Sequence, residues 1–458
     1  MPFYFLLNGE LLMQGHNKIL TEGPIISALA KLTWPMILGM LGMVIFNLTD
    51  TYFIGKIGVD ELAAIGFTFP VIMIIISISM GMGIGTASLI SRMIVSEKKL
   101  AVRQYAAHAL ALSVVIIIVF VIIGQLTIDP LFRLLGASPD ILPLIKDYMV
   151  IWYWGMIFLV IPMVGNNIIR ATGDTFTPGM IMVFSAIINI ILDPLLIFGI
   201  GPFPELGLKG AAIATVIARG IGMIIILYIL TRRKKLLTFY VTGLVEFLHT
   251  WKNILYIAGP AAISLLITPI SIGVITRIIA GFGNEAVAAF GIIVRLEMFA
   301  LLIIRALGSV MMIFAGQNWG LGNKIRLFRG IKIASLFSVT WGIFIFIICI
   351  FAAQVIAGIF SSNPDVVQIT AGYLVIVSFS YGFQGIMMMG MGIFNGINKP
   401  FVAFSMIVIR MICLYIPLAW LATSWIGLEG IFWSAFTANL ISGAITFLFL
   451  FKKIKADN

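Results

Sequence analysis

The chain has 458 residues, of which 61% are hydrophobic and 10% charged, with a mean hydropathy of +1.14. Soluble domains are roughly half apolar and about a quarter charged, so a soluble globular fold is excluded, and so much apolar surface excludes disorder. The formal net charge of +11 reads as membrane topology and attraction to anionic lipid, and no nucleic-acid partner is expected.

Residues 1–13 are apolar but carry no basic n-region and no small-residue cleavage site, unlike a secretory signal. Met13, followed by the polar stretch Gln14 to Thr21, is an alternative start. Beyond it, twelve apolar runs each approach the roughly 20 residues that a helix needs to cross a bilayer. They lie at 32–54, 62–91, 104–126, 145–168, 177–200, 208–230, 253–279, 286–315, 330–353, 367–393, 401–423 and 428–451. The runs are continuous, whereas barrel strands alternate in segments of about ten residues. The fold class is therefore an all-α polytopic membrane protein with twelve transmembrane helices. With the N-terminus inside, the cytoplasmic loops and termini carry twenty Lys and Arg. The other side has four, Lys56, Arg133, Lys146 and Lys209, so both termini are expected in the cytoplasm.

Residues 57–66 (IGVDELAAIG) match 282–291 (FGNEAVAAFG) at an offset of 225, which also places Pro35 on Pro260. Gly207-Leu-Lys-Gly210 falls on Gly427-Leu-Glu-Gly430 at an offset of 220. The chain thus reads as two pseudo-symmetric six-helix lobes, 25–230 and 253–451, joined by a cytoplasmic connector at 231–252. An even helix count makes the repeats parallel, a frequent build of secondary transporters.

A charge at the bilayer centre costs at least about 2.5–3.5 kcal/mol, so ionisable residues within spans are functional candidates. Seven stand out: Asp50, Asp193, Arg219, Arg295, Glu297, Arg305 and Arg410. Asn189 and Asp193 are four apart and share a helix face. Pro194 has no N–H, which frees the Ile190 carbonyl and favours a kink. Carboxylate, amide and loosened carbonyl suit a small hard cation, and in low dielectric a proton can take its place. Asp50 is either a solvated acid at a helix end or a second member of that site. Arg219 lies close along the chain to these acids and is placed to balance them. Arg295, Arg305 and Arg410 are expected in structural pairings. Glu297 is a second-rank coupling candidate, and His108 an interfacial histidine. Cys349 and Cys413 lie in apolar runs without metal-ligand spacing. No HExxH, GxSxG or Walker motif occurs, so neither an enzyme nor a cofactor is expected.

The sequence resembles the multidrug and toxic compound extrusion family, and within it the DinF-like branch. The match rests on Asn47–Gly58 (NLTDTYFIGKIG), Ala171–Pro178 (ATGDTFTP), Asn189–Pro194 (NIILDP), Gly207–Thr215 (GLKGAAIAT) and, in the second half, Asn395–Pro400 (NGINKP). It spans about 25 to 450. The resemblance implies export of small cationic amphipathic compounds against an inward proton or sodium gradient, by a monomer in the inner membrane of a prokaryote. It maps a proton- or cation-coupling site onto Asp50, Asn189, Asp193, Asn166 and Thr215, with sodium a possible ion at Asp50, Asn189 and Asp193. The branch binding sodium in the C-lobe uses acids in helices 7 and 10, which are absent here. A flippase for a lipid-linked precursor is the alternative: its diphosphate cargo would want the arginines but would be repelled by the N-half acids.

Overall fold

Hydrocarbon offers the backbone no hydrogen-bond partner, so apolar runs of this length satisfy their amides internally as helices. In the computed structural model, which describes residues 20–96, 99–238 and 243–456, they do so throughout. Met13, Lys18 and Lys98 lie outside the described residues. The helices are α1 Ile25–Gly55, α2 Val59–Met93 and α3 Lys99–Leu134. Then come α4a Leu142–Trp154, α4b Met156–Ala171, α5 Phe176–Ile197 and α6 Gly207–Tyr228. The second half has α7 Leu244–Ile279, α8a Asn284–Ala300, α8b Leu302–Gly320 and α9 Lys324–Phe360. It closes with α10a Pro364–Ser378, α10b Tyr381–Gly396, α11 Pro400–Val408 continued by Ile416–Ile426, and α12 Glu429–Ala456.

Each of the twelve predicted spans falls on one helix or one bent pair, giving a multi-pass membrane protein of twelve spans. Several helices outrun the apolar run that announced them: α3 begins at Lys99 and α9 at Lys324. Their first turns carry the charged residues Lys99 and Lys324.

Three spans that read as continuous are broken. α4a and α4b meet at 46°, α8a and α8b at 48°, and α10a and α10b at 62°. The junctions at Gly155, Leu301 and Phe379–Ser380 contain no proline, so the usual sequence signal for a kink is missing. Side chains compensate for the lost ladder: the Trp341 indole N–H donates to the Ala300 carbonyl at 2.8 Å, and the Ser380 hydroxyl to the Val377 carbonyl at 2.7 Å. A fourth span, α11, carries a π-helical stretch at Ile409–Tyr415. The 225-residue offset carries Met156–Ala171 onto Tyr381–Gly396, the observed limits of α10b.

The repeat boundaries divide the chain by sequence, and packing groups it into an N unit, Trp34–Ala262, and a C unit, Leu20–Thr33 with Ile263–Asn458. In the C unit the Arg326 guanidinium donates to the Leu20 and Gly23 carbonyls at 2.9 and 2.6 Å. In the N unit the first half of α7 docks on α3. The Trp251 indole N–H donates to the His108 carbonyl at 3.1 Å, the Asn253 amide to the Tyr105 hydroxyl at 3.1 Å, and Phe247 meets the His108 ring edge-on at 4.6 Å. His108 is thus a buried packing residue.

Glycines set how closely α1 and α5 approach. A Cβ on Gly179 would lie 2.5 Å from the Pro35 carbonyl oxygen, one on Gly39 3.0 Å from the Gly179 Cα, and one on Gly42 3.2 Å from the Val183 Cα. Phe46 and Ala186 pack together one turn further on. The helices run parallel in this register, and the next turn sets Asp50 level with Asn189–Asp193. Gly179→Ala is expected to destabilise the protein by about 1–3 kcal/mol, because the obstructing atom is backbone and has no rotamer to change. Thermal unfolding in detergent measures it; an unchanged midpoint would remove the close contact from the account.

Candidate functional site

The N unit gathers polar side chains from five helices. On α5 the Asn189 amide donates to Asp193 Oδ1 at 2.9 Å, the i, i+4 contact that their spacing dictates. Both residues are fully buried. The helix runs on through Pro194 to Ile197 without a break. Asp50 on α1 is half-buried and within electrostatic reach of Arg219 on α6 and of Asp193. The Arg219 guanidinium also stacks over the Phe46 ring, 5.4 Å from its centroid. Tyr148 on α4a, 4% exposed, interacts electrostatically with Asp50, Arg219 and Asp193 together. Asn166 on α4b and Thr215 on α6 are buried, and α6 packs against both α4b and α5.

One property unites the five residues of the mapped coupling site. Asp50 Oδ1, Asn166 Oδ1, Asn189 Oδ1, Asp193 Oδ2 and Thr215 Oγ1 are each buried without a hydrogen-bond partner. Buried polar atoms are normally satisfied, and five orphaned oxygens in one unit amount to a set of hard donors. Carboxylate, amide and hydroxyl oxygens fit a proton or a small alkali cation better than a transition metal. Among the described residues no group of three or more His, Cys, Asp or Glu could hold a metal ion.

Glu297 and the arginines belong to a different neighbourhood, in the C unit. Glu297 Oε1 accepts from the Gln384 amide at 2.9 Å and lies 4.0 Å from Arg410 Nη2. Arg410 Nε donates to Asn439 Oδ1 at 2.8 Å, and the Asn439 amide donates to the Ser380 hydroxyl at 2.8 Å. Arg305 stands within electrostatic reach of both Glu297 and Arg410. The expected structural pairing therefore holds for Arg410. Three helix irregularities converge here: Glu297 and Arg305 flank the α8 break, Ser380 lies in the α10 break with Gln384 just after it, and Arg410 sits in the π-helical stretch. Irregular backbone at membrane depth is tolerated where it borders a site or is buried in protein.

Several participants carry no sequence signal that marks them. Tyr148, Gln384 and Asn439 look like ordinary residues of apolar runs. Asp174 is one residue among eight in the ATGDTFTP motif, and its carboxylate lies 2.8 Å from Lys234 Nζ, with side chains 10% and 6% exposed. It also accepts from the Thr177 amide at 3.0 Å and hydroxyl at 2.8 Å, capping α5. Burial pushes the Asp174 carboxyl up, but the Lys234 ammonium and these hydrogen bonds outweigh it and hold it below the usual carboxylate range.

Comparison with known proteins gives one family. The MatE family model matches twice, over residues 35–195 and 260–421, once in each repeat. The FAD transporter of Shewanella oneidensis is 37% identical over 93% of this chain and 94% of its own length. The multidrug export protein MepA of Staphylococcus haemolyticus is 26% identical over 92% of each. Among solved structures, the Vibrio cholerae MATE transporter VcmN in its bent form superposes with a TM-score of 0.90 at 31% identity, covering 95% of this chain and 98% of that one. This chain belongs to the MatE family. It is a MATE-type efflux transporter, of a family whose members are transporters and not enzymes.

Proposed function

We propose that this MatE-family protein exports small cationic amphipathic compounds by alternating access, in antiport with an inward proton or sodium ion. The coupling site is the N-unit cluster of Asp50, Asn189, Asp193, Asn166 and Thr215. The observation that carries this reading is the set of five buried oxygens without partners: an arriving cation or proton satisfies what the protein leaves unsatisfied. Its arrival neutralises the carboxylates and weakens their hold on a cationic cargo. Arg219 and Tyr148 position Asp50 and limit the site's net negative charge. Each inward elementary charge yields about 2.3 kcal/mol per 100 mV, and each unit of pH difference about 1.4 kcal/mol per proton. The relatives named multidrug export proteins support export of several compounds, the N-unit carboxylates support a cationic cargo, and the excess of Lys and Arg on one side supports cytoplasmic termini.

A second reading rests on the C unit. There, among the described residues, the intramembrane arginines outnumber Glu297, the one acid away from the ends of the spans, a balance that suits an anionic cargo, and the relative named an FAD transporter is 37% identical.

Everted vesicles test both readings, with proton and sodium gradients imposed separately and with ethidium and FAD as cargoes. Gradient-driven uptake of ethidium supports the first reading and names the coupling ion. Uptake of FAD alone replaces it with the second. Uptake of neither, by protein shown to be folded, overturns both.

A further inference from the structure

The two units differ in charge at equivalent places. The 225-residue offset sets Asp50 on Ile275, and the match of Pro194 with Pro417 sets Asp193 on Ile416. The C unit has therefore no acid where the N unit keeps its two. Its only acid away from the ends of the spans, among the described residues, is Glu297, and beside it stand Arg305 and Arg410. Two guanidiniums against one carboxylate leave a surplus positive charge within a polar network inside the membrane.

The two arginines differ in how they are held. Arg410, with its side chain 12% exposed, is fixed by Asn439 and faces Glu297. Arg305 is exposed, and among the described residues its guanidinium makes no hydrogen bond or ion pair. An unpaired arginine well inside a span is costly in lipid, so it borders water or meets an anion. Tyr381 supplies an independent sign. It is 1% exposed, its hydroxyl has no hydrogen-bond partner, and it lies within electrostatic reach of Glu297 and Arg410. A phenol offers one donor, and the Tyr381 hydroxyl has it to give to an oxyanion held beside Arg410.

We propose that the C unit carries a binding site for the phosphate of an organic phosphate. Arg305 is the free guanidinium that meets it, Arg410 the held one behind it, and Tyr381 an added donor. Arginine suits this ligand because its planar fork matches the phosphate oxygens. Glu297 competes with the ligand for Arg410, and Gln384 keeps that carboxylate in place. The inference rests on the anionic-cargo reading and gives it a location.

Binding of 1-naphthyl phosphate and of uncharged 1-naphthol to the purified full-length protein in nanodiscs, followed by calorimetry, tests the site. The phosphate is expected to bind at least about tenfold more tightly than the naphthol, the factor given by one charge-assisted hydrogen bond. Arg305→Gln, at an exposed position, is expected to fold and to weaken phosphate binding about tenfold without changing naphthol binding. Glu297→Gln should tighten phosphate binding. Equal affinities for the two probes, or phosphate binding untouched by Arg305→Gln, overturns the site. Transport in proteoliposomes separates the two ideas. Binding that needs Arg305 without any transport of 1-naphthyl phosphate keeps the site and removes the anionic-cargo reading. Transport that ignores Arg305→Gln keeps that reading and removes the site.

Discussion

Asp193→Asn is expected to abolish gradient-driven efflux while leaving the protein folded and still able to bind cargo, held more weakly by Asp50 alone. The substitution preserves volume and keeps an oxygen to accept from Asn189, whose amide lies 2.9 Å from Oδ1. It removes the ionisable group, so the side chain can no longer alternate between a charged state that holds cargo and a neutralised state that releases it. With coupling gone, the roughly 2.3 kcal/mol that each 100 mV supplies per charge no longer reaches the cargo. Efflux should then fall at least tenfold, to the rate of passive equilibration. Proteoliposomes with an imposed gradient, compared with cargo binding in detergent, separate loss of coupling from loss of binding. An Asp193→Asn protein that exports like the wild type would show that the coupling ion is bound elsewhere.

Breaking the Asp174–Lys234 pair carries the largest expected cost to stability. Both side chains are nearly buried, and removing one partner of such a pair costs about 3–5 kcal/mol because the other is left charged and unpaired. Asp174→Ala also removes the cap on α5, worth about 1 kcal/mol. The pair joins the α4b–α5 turn to the start of the connector, so its loss should free Arg232–Lys235 and speed tryptic cleavage there. Its pH dependence has a definite sign. The folded carboxyl titrates below its unfolded value, so its contribution is complete above the ordinary carboxylate range. It is lost as pH falls below ~4 and through the lowered value. Cleavage at the connector, sampled between neutral pH and pH 3 with an acid-active protease, should rise across that window in the wild type and stay constant in Asp174→Ala.

The spans were legible because bilayer thickness is a strict ruler and each apolar run meets it with at most a few charged residues. Asp193 and Asn189 were legible because an acid in a span is costly and because four residues make one helical turn. The helix breaks were not. Gly155, Leu301 and Ser380 are unremarkable within apolar sequence, and what stabilises the bends, such as the Trp341 indole on the Ala300 carbonyl, comes from a helix 41 residues away. The C-unit network was invisible for the same reason: Glu297, Gln384, Arg410 and Asn439 come from four helices. Arg295, two residues from Glu297, makes no hydrogen bond or ion pair to that network among the described residues, since neighbours two apart point to different sides. Asp50, weighed as a solvated helix-end acid, is half-buried with one oxygen shielded from water.

The bend shared by α4 and α10 also records ancestry. A 16-residue segment follows it in both halves, displaced by 225 residues at each end, as expected if a six-helix unit with a bent fourth helix was duplicated. The charges tell a later story, since the acids of one copy correspond to isoleucines in the other and Arg410 appears in only one. At this helix the two halves share a shape and differ in charge, so one backbone geometry carries two electrostatic environments.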